Sequence, residues 1–178
     1  YFVNSMSDLF HDRIADEYIE KVFDVIHKTP RHTYQILTKR AARMARFFKN
    51  REVPKNAWLG VSVENKQHGV TLIGHLRKVA AHIRFLSVEP FLEDVGELNL
   101  TNIHWVIVGG ESGPKARPMK PEWADSVREQ CEEQGVAFFF KQWGGWGADG
   151  KRRAKSANGR LLNGRTWDQM PAQMMALA

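Results

Sequence analysis

The sequence predicts an α/β protein: a parallel (β/α) barrel-like fold, open or partial, over residues 1–143, then a glycine-rich basic tail over 144–178. Three observations predict it. A short strand, a loop and an amphipathic helix recur, with strand starts roughly every 20 to 32 residues, the βα period. The strands are near-continuously apolar, as in a parallel sheet covered by helices. Three of them also run into a glutamate where the apolar pattern breaks: Gly60-Val61-Ser62-Val63-Glu64, Phe85-Leu86-Ser87-Val88-Glu89 and Val106-Ile107-Val108-Gly109-Gly110-Glu111. Strands that end together in this way open onto one rim, where such folds place their chemistry. A doubly wound sheet is the alternative.

The elements follow in order. Tyr1 to Asn4 reads as the first strand and Ser5 to Asp8 as its loop. A helix begins at about Asp16, expected as its N-cap, with Tyr18, Val22, Val25 and Ile26 on the buried face, and stops before Pro30. Thr33 to Thr38 is the second strand. The next helix buries Met44, Phe47 and Phe48 and turns Arg43 and Arg46 to solvent. Trp58 to Val63 is the third strand, followed by a helix carrying Leu72, Ile73, Leu76, Val79 and Ala80. Arg84 to Glu89 is the fourth strand, halted by Pro90, and Phe91 to Asn102 is an irregular connection. His104 to Gly109 is the fifth strand. A helix then opens at Pro121, carries Trp123, Val127 and Cys131, and ends at Gly135. Val136 to Lys141 is the sixth strand. Leu161 to Trp167 reads as a small hairpin around Asn163-Gly164, in a tail that is an appendage rather than another βα unit.

Strand parity sharpens the rim. With Val61, Val63, Leu86, Val88, Val106 and Val108 facing the helices, Ser62, Glu64, Ser87, Glu89, Gly109 and Glu111 face the other way. A serine or glycine one layer below each acid leaves space for a ligand. Three facing carboxylates repel, so they need a cation, protons or a hydrogen-bonding ligand; Lys39 or Lys141 is placed to neutralise one. A satisfied polar ring is the structural alternative to a pocket. Gly109-Gly110-Glu111-Ser112-Gly113 reads either as a ligand-contact loop, its glycines allowing close backbone approach, or as a tight strand exit. Trp143 or Trp146 could stack on a flat ligand. The candidate ligand-binding residues are Asn4, Ser5, Asp8, Thr38, Lys39, Ser62, Glu64, Asn65, Ser87, Glu89, Gly109, Gly110, Glu111, Ser112, Lys141, Gln142 and Trp143, with no catalytic residue assigned.

Composition bounds the function. A chain of 178 residues with 43% hydrophobic and 26% charged residues suits one globular core. Its longest aromatic-apolar run, Val136 to Phe140, is far too short to cross a bilayer, so no membrane partner is expected. A start at Tyr1 within an apolar run is no signal peptide and reads as a fold that is N-terminally incomplete. The single cysteine, Cys131, excludes a disulfide, a Cys-based zinc site or a Cys-ligated iron–sulfur cluster built from this chain, and fits the cytoplasm. The seven histidines show no metal-ligand spacing, so no metal site is expected; His11, His32, His75 and His82 read as surface or structural residues. Of the net charge of +6, the segment from Gly144 onward holds +4: Lys151, Arg152, Arg153, Lys155, Arg160 and Arg165 against Asp149 and Asp168, leaving +2 before it. Such a tail either contacts nucleic acid or is a solvated face.

These strand ends also carry a likeness. Phe2-Val3-Asn4-Ser5-Met6-Ser7-Asp8-Leu9-Phe10, Tyr34-Gln35-Ile36-Leu37-Thr38-Lys39-Arg40, Trp58 to Asn65, Phe85 to Pro90, Trp105 to Gly113 and Phe139 to Gly144 resemble a phage and prophage protein family of unknown function. That family is named after phage gene products thirty-seven and sixty-eight and is also described by a three-Cys motif. The likeness runs from residue 1 to about 147, with Arg160 to Pro171 matching the family's ending. It implies a distant radical S-adenosylmethionine-like enzyme of the bacterial host cytoplasm, whose cysteine motif lies upstream of the stretch matched here. It therefore implies S-adenosylmethionine and a 4Fe-4S cluster in a complete protein, and no cofactor held by this chain alone. The expected partner is a small-molecule or nucleotide-derived ligand, with a nucleic-acid-binding module or a catalytically inert interaction barrel as alternatives.

Overall fold

In a computed structural model, residues 1–4 and 6–171 are described. Six strands, β1 (Phe2–Val3), β2 (Tyr34–Thr38), β3 (Ala57–Ser62), β4 (Ile83–Val88), β5 (Trp105–Gly109) and β6 (Ala137–Gln142), form one sheet in the order β1-β2-β3-β4-β5-β6. Every pairing is parallel. A doubly wound sheet would reverse its strand order at a switch point; this one does not, so the architecture is a parallel half-barrel.

The helices α1 (Asp16–Lys28), α2 (Ala41–Phe47), α3 (Gly69–Leu76) and α4 (Pro121–Glu133) all pack on one face. Ile19, Phe23 and Ile26 of α1, Met44 and Phe47 of α2, Ile73 and Leu76 of α3 and Val127 and Cys131 of α4 join Leu59, Val61, Val63, Leu86, Val88, Val106 and Val108 in one cluster. Each large aliphatic or aromatic side chain buried there contributes about 1.5–3 kcal/mol. The opposite face carries a second cluster of Trp58, Ile83, Phe85, Trp105 and Ile107. Parity on β3, β4 and β5 is therefore as the sequence indicates.

Four local readings need correction. Asp16 is the first helical residue of α1, not its cap; Ala15 holds that position. The buried stripe of α1 is Ile19, Phe23 and Ile26, while Tyr18 and Val25 are exposed. Ala80 is exposed, beyond the end of α3. Arg43 is not a solvated arginine: its guanidinium donates to the carbonyls of Phe10, His11 and Ile14 and pairs with Asp16 at 2.9 Å, fixing the loop after β1.

The stretch from Phe91 to Asn102 has no regular element, yet Phe91, Val95, Leu98 and Leu100 are buried in the helix-side cluster. Side chains of α4 and its C-cap satisfy its backbone: Gln130 Oε1 accepts from Leu98 N at 2.6 Å and Gln134 Oε1 from Leu100 N at 2.9 Å. A helix is replaced here by a strap whose polar groups are met from the next helix.

The described part of the tail, residues 144–171, packs back onto the sheet. Asn163 and Gly164 both take positive φ in a turn bridging Leu162 and Arg165, the hairpin expected of Asn-Gly. Leu162 and Trp167 are buried in the helix-side cluster. Asp168 bridges Phe139 in antiparallel fashion, so this segment lies along β6. Among its cations, Arg153 pairs with Asp149, Arg160 with Asp168, Arg152 donates to the Pro114 carbonyl and Arg165 lies over the Trp167 ring.

Candidate functional site

The C-terminal ends of the strands and the loops that follow them hold every candidate residue that is described; Ser5 lies outside the described residues. Starting at β1, the Asp8 carboxylate is enclosed by four donors: Phe10 N at 2.9 Å, Thr38 Oγ1 at 2.8 Å, Lys39 N at 3.1 Å and Arg40 Nη1 at 3.0 Å. Thr38, 2% exposed, also accepts from Arg40 N at 2.8 Å. Asp8 and Thr38 thus tie the loop after β1 to the end of β2. Asn65 has a similar role, its Oδ1 accepting from His68 N and Gly69 N at the start of α3.

Each of the three glutamates has its own cation. Glu64, beyond β3, pairs with Lys39 at 2.5 Å. Glu89, beyond β4, receives Lys141 Nζ at 2.8 and 3.1 Å and Gln142 Nε2 at 2.8 Å. Glu111, beyond β5, forms a two-pronged pair with Arg117, at 2.9 Å from Nε and 2.8 Å from Nη2, and also accepts Arg117 N at 2.8 Å. Those hydrogen bonds hold the Glu111 carboxyl down at about 2. Glu111 in turn raises the Arg117 pKa, chiefly through their hydrogen bonds, with a smaller contribution from Glu64. Arg117 was not among the sequence candidates; its only signal is its position six residues past Glu111 in the same loop.

The space expected beneath the acids is partly filled. A Cβ on Gly109 would lie 3.1 Å from the Glu89 carboxyl carbon and 3.5 Å from Gln142 Nε2, so Gly109 makes room for the Glu89 side chain. A register shift after Val108 brings Gln142 alongside Gly109 and delivers that amide. A Cβ on Gly110 would lie 1.9 Å from the Trp143 carbonyl oxygen. The glycine pair is thus a crossing of two chain segments and not a ligand cradle; Ser112 beyond it is exposed. Trp143 is also unavailable for stacking: it is 3% exposed, packs edge-on against Phe140 and donates to the Leu161 carbonyl at 2.8 Å. Trp146 donates to the Ala116 carbonyl at 2.7 Å.

Open space remains at one end of the rim. A cavity of about 510 Å³ is bordered by Phe2, Asn4, Asp8, Leu37, Lys39 and Ser62 among others. It brings together Asn4, Asp8, Thr38, Lys39 and Ser62 from the sequence candidates and adds Ser7, His11 and Arg40. A larger concavity, about 1190 Å³, lies at the N-terminal ends of β3 and β4 among residues such as Lys49, Asn56 and His82, away from the C-terminal strand ends considered above.

Among the described residues, no group of three or more His, Cys, Asp or Glu side chains is arranged to hold a metal ion. Cys131 is buried on α4, and burial pushes its thiol up to about 12. These residues do not fit an iron–sulfur cluster.

A family described as "Protein of unknown function (DUF5131)" matches residues 1–171. The chain belongs to that family. Comparison of this DUF5131 protein with curated proteins and with solved structures returned no match. Among its described residues, no helix is long and apolar enough to cross a membrane.

Proposed function

We propose that this DUF5131 protein binds a small polar, nucleotide-derived ligand at the C-terminal ends of β1–β3, within a radical S-adenosylmethionine-like enzyme barrel of the phage gene-product kind that its strand-end motifs resemble. The observation that carries the reading is the cavity of about 510 Å³ at that rim. Its volume lies in the range of small-molecule sites, about 300–1,000 Å³, and its walls come from the ends of three successive strands.

The chemistry of the walls supports binding. Lys39 and Glu64 form a pair of which the lysine is 58% exposed. Such exposed pairs are worth only about 0.2–1 kcal/mol, so an incoming ligand exchanges either partner at little cost. Asp8, held by four donors, and Thr38 stay fixed and shape the site. An iron–sulfur cluster, if the complete enzyme has one, is held by residues outside this sequence. The nucleic-acid alternative has less support, because Arg43, Arg152, Arg153 and Arg160 are each engaged within the chain.

Calorimetric titration with S-adenosylmethionine tests the reading. Saturable binding is expected, weakened by about thirtyfold or more when Lys39→Met and Ser62→Val are combined, the loss of one charged and one neutral contact. A folded protein that gives neither heat nor a thermal shift with this compound would sink it.

A further inference from the structure

Positive charge gathers at the end of the sheet opposite the rim cavity. Because β2, β3 and β4 pair in parallel, the loops leading into them lie side by side at their N-terminal ends. With their flanking residues these loops carry +2 (28–33), +2 (48–56) and +3 (77–84), together +7 against +6 for the whole chain. Glu52 is the one acid among them.

Few of these charges are answered. Among the described residues, Arg51 alone of these cations forms an ion pair, with Glu20 at 2.6 Å. Arg84 donates to the carbonyls of Val79, Ala81 and Asn102, and Arg77 to those of Asn99 and Thr101. Carbonyls orient a guanidinium without cancelling its charge. Lys28, Arg31, Lys49, Lys55 and Lys78 are exposed and form no ion pair among the described residues. Like charges gathered in this way repel one another, a cost that a bound polyanion removes.

These loops also enclose space, the concavity of about 1190 Å³. The buried rings of Phe23 and Phe48, edge to face at 4.9 Å, form its apolar base. On its walls Lys49, Arg51, Lys55 and Arg84 stand against Asp24 and Glu52. Pro30 and Ala80 line it too, which sets Arg31 and Lys78 one and two residues from its lip. The walls thus keep a positive surplus that the flanking loops enlarge.

We propose that this N-terminal face is a docking groove for nucleic acid, held by its phosphodiester backbone. Lysines serve phosphates as point charges, whereas carboxylates are best gripped by two-pronged guanidiniums. Here the guanidiniums of Arg51, Arg77 and Arg84 are already committed to Glu20 and to main-chain carbonyls, which leaves the lysines as the free donors. A membrane surface is a poorer match. Such contacts insert apolar side chains, and none of the exposed large hydrophobic residues lines this groove. The groove uses no cation of the tail, and it lies at the opposite strand ends from the rim cavity, so the two sites fill independently.

The test is fluorescence anisotropy of the full chain with labelled DNA and RNA strands of about 20 nucleotides and the matching DNA duplex, over a salt series. Saturable binding is expected, with log affinity falling against log salt at a slope of about −2 to −4.5, as three to five seated cations would give. Combining Lys49→Gln, Lys55→Gln and Lys78→Gln should remove about 2 to 3 from the magnitude of that slope. The single variants, about 1 each, keep the test readable if the triple variant does not fold. Lys115→Gln, Lys151→Gln and Lys155→Gln together remove the same charge from the loop after β5 and from the tail, and should leave the slope unchanged. Whichever of the three nucleic acids binds most tightly names the kind of partner. Absence of binding, a slope unmoved by the groove variants, or an equal fall in the tail variants overturns the proposal. Phosphatidylserine vesicles or poly-L-glutamate bound in place of the oligonucleotides would overturn it in favour of a membrane or an acidic polypeptide.

Discussion

Replacing Gly110 by alanine separates the two readings of the Gly109-Gly110 pair. An added Cβ would sit 1.9 Å from the Trp143 carbonyl oxygen, where real Cβ contacts do not fall under 3.0 Å. The obstruction is main chain, so no side chain can swing aside and the two segments must part by at least about 1 Å, an overpacking cost of about 1–3 kcal/mol. Parting them strains two hydrogen bonds that close the crossing, Gly110 N to Gln142 O at 2.9 Å and Gly145 N to Glu111 O at 2.8 Å. At about 0.5–1.5 kcal/mol each they add about 1–3 kcal/mol. The expected loss is therefore about 2–6 kcal/mol, a large share of a total stability of about 5–15 kcal/mol. Urea unfolding followed by tryptophan fluorescence reads it directly. Gly74→Ala is the internal control: nothing lies within 4 Å of its Cβ position on α3, so it should stabilise by about 0.5–1 kcal/mol. A Gly110→Ala protein that unfolds within about 0.5 kcal/mol of wild type yet loses ligand binding would refute the crossing and restore the glycines as a ligand cradle.

Two further predictions concern ionisable groups. Glu111 titrates near 2 in the folded chain, below its ordinary 4.5, so its pairing stabilises the fold fully above 4.5, and that contribution is lost as pH falls through about 2. Melting temperatures of wild type and Arg117→Ala should converge over that window; a gap that stays constant with pH would remove Arg117 as the cause. Cys131, its thiol pushed up to about 12 by burial, should resist a thiol-reactive reagent in the native protein and react fully in urea. Rapid labelling of the folded protein would contradict its position in the core.

How much of this was legible in the sequence depends on the range of the interaction. Strand parity on β3 and β4 was readable because alternation is local, and the parallel sheet because apolar runs recur between helices. The buried face of α1 was misread for an instructive reason. Tyr18, Val22 and Val25 have the same spacing as Ile19, Phe23 and Ile26, one residue apart, and only the sheet beneath decides which stripe it meets. The Gly109-Gly110 pair left two readings open because the carbonyl it meets, that of Trp143, lies some thirty residues away, and Trp143 was misread as a stacking surface because its indole N–H is taken by Leu161, 18 residues on; no local pattern encodes either contact. Arg117 was missed because a loop has no period from which to place a side chain. The lysines Lys39 and Lys141 were recognised as counter-ions because each sits at a strand end on the same rim as its acid.

The three pairs at the rim are chemically unequal, and the proposed site lies beside the weakest of them. Glu111 is gripped through both carboxylate oxygens by a guanidinium and by a backbone amide. Releasing it would break three charge-assisted hydrogen bonds, so it holds the 111–117 loop and is not the group a ligand exchanges. Glu89 is intermediate: a buried amide, Gln142, keeps it in place over Gly109 even if Lys141 swings away. Glu64 has a single lysine contact. That lysine borders the open cavity, so the weakest pair stands beside the available space, while the strongest lies at the other end of the acid series. A ligand at the proposed site between β1 and β3 would therefore meet one exchangeable ion pair and the Ser62 side chain against a fixed polar frame. The ring of satisfied pairs and the pocket are thus compatible: the first provides the rigid part of the second.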